Sequence, residues 1–259
     1  MPGFDALRVP GRRLLGTWTQ FADADTLDLL AAAGYDFTII DLEHGAFGLE
    51  RAVTLVRGCE AAGLVALARV PRGDHALAGR LLDAGLAGIV APGVETAQEA
   101  HDWVRALRFG PQGTRGACPI VRAAGHSATP WRDVADRQSR VGLVLLVESG
   151  PGIEAAEAIA ATPGIDGLMV GPFDLSVSLG LGGDVGAAPV QAGIARVIGA
   201  AQAAGVAPWL PVFSPDVDLL ERTVDAWAAR GVRHYAVGAD KIFFASAARR
   251  FAAAAGRPA

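Results

Sequence analysis

FTIIDLEHGAFGLERAVTLVRGCEAAGLVALARV, residues 37–70, holds two apolar runs separated by an Ala/Leu-rich stretch. The runs 37–42 and 65–70 read as strands, and 49–62 reads as a helix closed by Gly63. The same strand–helix alternation extends along the whole chain. Strands are expected at 14–19, 37–42, 65–70, 88–91, 142–147, 167–171, 207–212 and 234–238. Helices are expected at 24–33, 49–62, 74–84, 96–107, 152–161, 189–204, 216–229 and 241–255. Asp74, Thr96 and Ser214-Pro215 sit where helix caps belong, and Gly34, Gly63, Gly85, Gly205 and Gly231 sit at helix ends. Eight strand–helix units in about 250 residues match a (β/α)8 TIM barrel. A doubly wound sheet is the alternative, but no linker or composition change marks a second domain. A single domain over 1–259 is therefore expected.

Composition narrows the function classes. Hydrophobic residues make up 51% and charged residues 19%, enough for a large core. The net charge of −4, with no basic run, gives no footprint for nucleic acid. The start, MPGFDALRVPGRR, lacks the apolar centre of a signal peptide, and the longest apolar runs, such as Val141 to Val147, are too short to span a bilayer. Cys59 and Cys118 have no metal or redox spacing and read as reduced thiols of a cytoplasmic protein. Lys241 is the only lysine, which leaves one candidate for Schiff-base chemistry.

In such a barrel the strand C-termini carry the activity. Strand 1 delivers Trp18 and Gln20 there; strand 2 delivers Asp41, Glu43 and His44. Strand 3 gives Arg69, strand 4 Pro92, and strand 5 Glu148. Strand 6 gives Gly171, Pro172 and Asp174, strand 7 Pro211 and Phe213, and strand 8 Gly238 and Asp240. Glu148 and Asp174 come from neighbouring strand ends and are candidates to share one cation. An all-oxygen site with few protein ligands suits Mg²⁺ or Mn²⁺. Glu148 alone reads equally well as a solvated strand end or a helix cap. Arg69 is a candidate clamp for a carboxylate or an enolate oxygen, or a salt-bridge partner for a nearby acid. His44 is the best general acid/base, with a structural histidine bonded to Asp41 or Glu43 as the alternative. Strand alternation puts Glu43 on the side opposite His44. The stretch GLGGDVG (180–186) lacks the strand–helix context of a phosphate loop and reads as a flexible turn. Residues 108–140 read as one long irregular segment, a lid or a subunit contact.

DLEHG, ARVP, LLDAG, APGVETAQEA, GPQGTRG, VESGPGIE, DGLMVGPFDLS and YAVGAD together resemble the metal-dependent class II pyruvate aldolases. These are the 4-hydroxy-2-oxoheptanedioate and 2-dehydro-3-deoxy-sugar-acid aldolases of the citrate-lyase-like superfamily. The resemblance runs from about Gly11 to Phe251. It implies a (β/α)8 barrel assembled as a homohexamer, a trimer of dimers, with the last helix exchanged between subunits. It implies Glu148 and Asp174 as ligands of a divalent cation (Mg²⁺ or Mn²⁺, with Co²⁺ as a third option). It implies Arg69 as the arginine that holds the carboxylate and C2 oxygen of pyruvate, with Gly171 and Pro172 lining the pyruvate pocket. His44 matches the acid/base, with Asp41 and Asp83 as carboxylates associated with it, Asp83 reaching it from a neighbouring subunit. The small-molecule partners would be a 2-oxo acid, pyruvate or hydroxypyruvate, and an aldehyde. Three positions depart from the common pattern: Leu146 in place of a glutamine, Gly45-Ala46-Phe47 in place of Ala-Pro-Asn, and Gly93 in place of a bulkier residue. They bear on the aldehyde partner. A lyase acting on acyl-CoA esters and a non-catalytic barrel that binds a 2-oxo acid are the rival readings.

Overall fold

In the computed structural model, which describes residues 2–257, eight parallel strands pair each with the next, and the last pairs with the first. They are β1 (Leu14–Thr19), β2 (Phe37–Asp41), β3 (Val65–Arg69), β4 (Gly88–Ala91), β5 (Gly142–Val147), β6 (Gly167–Val170), β7 (Ala207–Val212) and β8 (His234–Ala239). Every strand from β2 to β6 is buried along its full length, as near-continuous apolar runs require when helices cover the outside. The expected strands are all present, and so is the closed barrel.

The helices are α1 (Asp25–Ala32), α2 (Leu49–Ala62), α3 (His75–Asp83), α4 (Ala97–Leu107), α5 (Trp131–Gln138), α6 (Gly150–Glu154), α7 (Ala156–Ala160), α8 (Pro172–Ser178), α9 (Ala188–Ala204), α10 (Val217–Ala228) and α11 (Asp240–Ala254). Thr96 and Glu99 form a reciprocal capping box at the start of α4. Asp74 caps α3 by accepting from the Leu77 N–H.

Three features differ from the sequence expectations. The segment 108–140 is not wholly irregular: it contains a short 3-10 stretch (Arg122–Ser127) and α5. The sequence WRDVADRQ is short and mostly polar, so no apolar stripe announced that helix. The expected helix 152–161 is two short helices, α6 and α7. Directly after β6 comes α8, a helix absent from the sequence expectations, which begins with Pro172 at its first position and carries Asp174 in its first turn; residues 180–186 beyond it are turns, as expected.

Two apolar layers hold the molecule together. One lies between strands and helices; the other fills the barrel. A 3-10 helix, Phe4–Leu7, closes the lower end, with Phe4 stacked on Trp209 at 6.3 Å between ring centres. Gly142 and Gly88 make room for it, because a Cβ at either position would overlap the Phe4 ring. At the other end, α11 has one buried residue, Asp240, while Phe244 and Phe251 are 68% and 79% exposed.

Candidate active site

The β2–β3 register sets Asp41 directly beside Arg69. Both are buried, and their side chains meet in a two-pronged ion pair. Arg69 Nε donates to Asp41 Oδ1 at 2.9 Å, and Nη2 donates to Oδ2 at 2.7 Å. Gln20 Nε2 donates to Oδ2 at 2.8 Å, and the backbone N–H groups of Glu43 and His44 reach Oδ1 at 3.2 Å. Burial works against ionisation of Asp41, but Arg69 and these further donors outweigh it and hold the carboxyl below its usual range. The guanidinium also lies over the Trp18 ring, 4.5 Å from its centre. Arg69 is thus fixed from two sides, with its Nη1 hydrogens left free of these partners.

This arrangement corrects the expected partnership of Asp41 with the His44 ring. Asp41 serves Arg69 and meets His44 only through the backbone N–H. It also corrects the placement of Glu43. The strand ends at Asp41 and the chain turns, so alternation no longer applies. Glu43 Oε2 lies 3.3 Å from Arg69 Nε and 4.0 Å from His44 Nε2. Burial, with the charges of Asp41 and Asp174, pushes the Glu43 carboxyl upward, while Arg69 and His44 oppose the shift. The His44 side chain is 61% exposed, beside the mouth rather than within it.

Glu148, one residue past β5, accepts from the Gly93 N–H at 2.8 Å through Oε1. Gly93 has a φ of +64°, a backbone state that glycine adopts freely, and this turn aims the donor at the carboxylate. A backbone donor leaves no side-chain signal, so its role was not legible beforehand. Gly171 packs against the same side chain, where a Cβ would come within 2.8 Å of Glu148 Cβ and Oε2. Burial first, then the Asp174 charge, pushes the Glu148 carboxyl up to about 7; Arg69 only partly offsets them.

Glu43 and Glu148 thus add negative charge beside a guanidinium that Asp41 already engages, and Asp174 adds its charge to both of them. Such a set lacks positive charge, and a divalent cation fits it. Among the described residues no group of three or more His, Cys, Asp or Glu is arranged around one point. A cation here would take two protein carboxylates and leave its other positions to water or substrate, as Mg²⁺ tolerates well.

Arg69, Glu148, Gly171, Pro172 and Asp174 all line one cavity of about 180 Å³, with Leu146, Phe173, Phe213 and Lys241 on its walls. That volume admits a small acid and is below the usual range for drug-sized ligands. Asp83 is elsewhere. It ends α3, pairs with Arg115 Nη2 at 2.7 Å, and lines a separate hollow with His75 and Arg80. Within one chain it does not join the mouth.

Comparison with known proteins agrees with this architecture over nearly the whole length. The family model described as "HpcH/HpaI aldolase/citrate lyase" matches residues 14–247. A hydroxypyruvate/pyruvate aldolase of Roseovarius nubinhibens is 34% identical over 95% of this chain and 94% of its own. A second, from Paraburkholderia phytofirmans, is 36% identical over 92% and 91%. A crystal structure of an HpcH/HpaI aldolase/citrate lyase family protein from Burkholderia cenocepacia superposes with a TM-score of 0.87 at 34% identity, covering 97% of both chains. The chain belongs to the HpcH/HpaI aldolase/citrate lyase family.

Proposed function

We propose that the protein is a divalent-metal-dependent pyruvate aldolase that reversibly cleaves 4-hydroxy-2-oxo acids into pyruvate, or hydroxypyruvate, and an aldehyde. The observation that carries this reading is the Glu148–Asp174 pair facing an Arg69 that Asp41 and Trp18 hold in place. The names of the relatives in Roseovarius and Paraburkholderia support it.

Glu148 and Asp174 are the groups that would hold the cation. When bound, it would supply Lewis-acid charge at the keto oxygen of the 2-oxo acid. Arg69 turns its Nη1 hydrogens to the substrate carboxylate and to the oxygen where charge develops. Gly171 and Pro172 wall the pyruvate end. His44 takes the proton from the C4 hydroxyl; the C3–C4 bond breaks, its electron pair passes to C3, and the aldehyde leaves. A proton returned to C3 gives pyruvate. Asp83, outside the mouth of its own chain, would assist His44 from another subunit. The exposed α11 fits that arrangement, since a second copy would cover Phe244 and Phe251 in a homohexamer with exchanged last helices.

An acyl-CoA lyase needs a basic surface near the mouth. Arg12 and Arg13 precede β1, at the opposite end of the barrel, and pair with Asp36 and Asp225. Among the described residues no helix is long and apolar enough to cross a membrane. Two free cysteines, Cys59 buried and Cys118 half-buried, suit a reducing compartment such as the cytoplasm.

Deuterium exchange at the pyruvate methyl group tests the reading. Exchange should stop in EDTA and return with Mg²⁺, Mn²⁺ or Co²⁺. Undiminished exchange in EDTA, with borohydride trapping pyruvate on Lys241, would replace it with Schiff-base chemistry. No exchange under any condition would leave a binding barrel.

A further inference from the structure

Lys241, the only lysine of the chain, lines the cavity that holds Arg69 and Glu148. It is exposed there, at the second position of α11. Among the described residues its ammonium has no ion-pair or hydrogen-bond partner; only its backbone N–H is engaged, donating to Asp240 Oδ1 at 2.7 Å. Asp240 feels the lysine charge but is 3% exposed, and its other oxygen accepts from the N–H groups of Gln20 and Phe21 at 2.9 and 2.8 Å. The neighbouring acid is therefore committed to backbone, and the ammonium remains available to a ligand.

Strand order places this charge at a definite part of the mouth. Lys241 follows β8, three strands from β5 with Glu148 in one direction and three from β3 with Arg69 in the other. It stands across the mouth from both. The cavity wall beside it is apolar, formed by Phe213, Ile242 and Trp18. A 2-oxo acid held by its carboxylate at Arg69 would extend its remaining carbons over this wall toward β8. A single unpaired cation at the far side of an apolar wall selects a chain that ends in negative charge.

We propose that Lys241 is the anion anchor of the aldehyde half of the site, so that the preferred aldehyde carries a carboxylate or a phosphate beyond its formyl carbon. This assignment rests on the aldolase reading and adds the chemistry of the second substrate. Lys241 binds and orients the aldehyde and takes no part in bond breaking.

Two measurements on the full-length protein test it. Calorimetry compares 2-oxo dicarboxylates with 2-oxo monocarboxylates of equal carbon number, none of which can be cleaved. Wild type should bind the dicarboxylate about tenfold tighter or more, the usual scale for a hydrogen bond to a charged group. The gap should close in Lys241→Met and reopen in Lys241→Arg, which keeps the charge and controls for folding. Addition of pyruvate to aldehydes then compares carboxylate-bearing, phosphate-bearing and neutral acceptors of similar length. The ratio of kcat/KM for an anionic over a neutral acceptor should collapse about tenfold in Lys241→Met, chiefly through KM for the aldehyde. The acceptor with the larger ratio identifies the anion. Equal binding of the two acid series by wild type, or equal losses for charged and neutral acceptors in Lys241→Met, overturns the assignment. Absence of methyl exchange in wild type instead overturns the aldolase reading, so the two failures are told apart.

Discussion

Arg69 and Asp41 face each other in register across β2 and β3 and share two parallel hydrogen bonds of 2.9 and 2.7 Å, with Asp41 wholly buried. Removing one partner of such a pair leaves a desolvated charge behind, at a cost of about 3–5 kcal/mol. Asp41→Ala should therefore lower unfolding stability in urea by roughly 3 kcal/mol and free the Arg69 head to swing toward Glu43. Turnover should fall with it, because the guanidinium no longer points one way. A variant as stable as wild type would mean that Glu43, 3.3 Å away, already balances the charge.

His44 stands beside the mouth, with Nε2 4.0 Å from Glu43 and most of its side chain in solvent. It touches neither Glu148 nor Asp174 through any hydrogen bond found in the structure. His44→Ala should keep cation and pyruvate binding close to wild type in calorimetry. Retro-aldol turnover should drop about 10²–10⁴-fold, the usual contribution of a positioned acid/base. Loss of cation binding in that variant would instead make His44 a ligand.

Glu148 gives the site a pH signature. Its carboxyl is pushed up to about 7, mainly by burial and then by Asp174, so the folded chain holds the proton more tightly than the unfolded chain does. In EDTA this contribution to stability is complete below the ordinary glutamate range and is lost as pH rises through about 7. Thermal melts from pH 5 to 8 should show wild type losing stability relative to Glu148→Gln, which removes the titration and leaves the raised Glu43 in both. Saturating Mg²⁺ should reverse the trend for wild type, since a bound cation favours the ionised carboxylate. Parallel curves for the two proteins in EDTA would show that Glu148 ionises at its ordinary value.

These groups differ in how far the sequence revealed them. The runs 142–147 and 65–68 are apolar throughout, so their ends, and hence Glu148 and Arg69 just beyond them, are legible from pattern alone. Period-2 alternation misplaces Glu43, because the strand stops at Asp41 and a turn begins there. The resemblance associates Asp41 with His44, whereas its side-chain partner Arg69 lies 28 residues away and is brought alongside by strand register. The Gly93 N–H and the Phe4 plug depend on through-space fit, which no local pattern encodes.

Phe4 fills the lower barrel mouth at 4% exposure, against Trp209 and over the space left by Gly142 and Gly88. Phe4→Ala should cost about 3–5 kcal/mol, as for other large-to-small changes in a close-packed core. Gly142→Ala should be comparably harmful from the other direction, by driving a methyl into the same ring. The site lies at the opposite end of the strands, so KM for the 2-oxo acid should change little while the urea midpoint falls. A Phe4→Ala protein with an unchanged midpoint would show that the 3-10 helix covers the barrel without supporting it.

The last helix exposes Phe244 and Phe251 and buries only Asp240 among its described residues. In the proposed assembly a second copy would cover these two aromatic side chains. Their replacement tests the exchanged-helix assembly without touching the mouth. The double variant Phe244→Glu, Phe251→Glu should sediment as a smaller species than wild type while its far-UV circular dichroism stays that of the barrel. If Asp83 reaches His44 only across subunits, turnover should fall in step with dissociation, and it should recover at protein concentrations that restore the larger species. Equal sedimentation of wild type and variant, with equal turnover, would place the assembly surface elsewhere and confine the site to one chain.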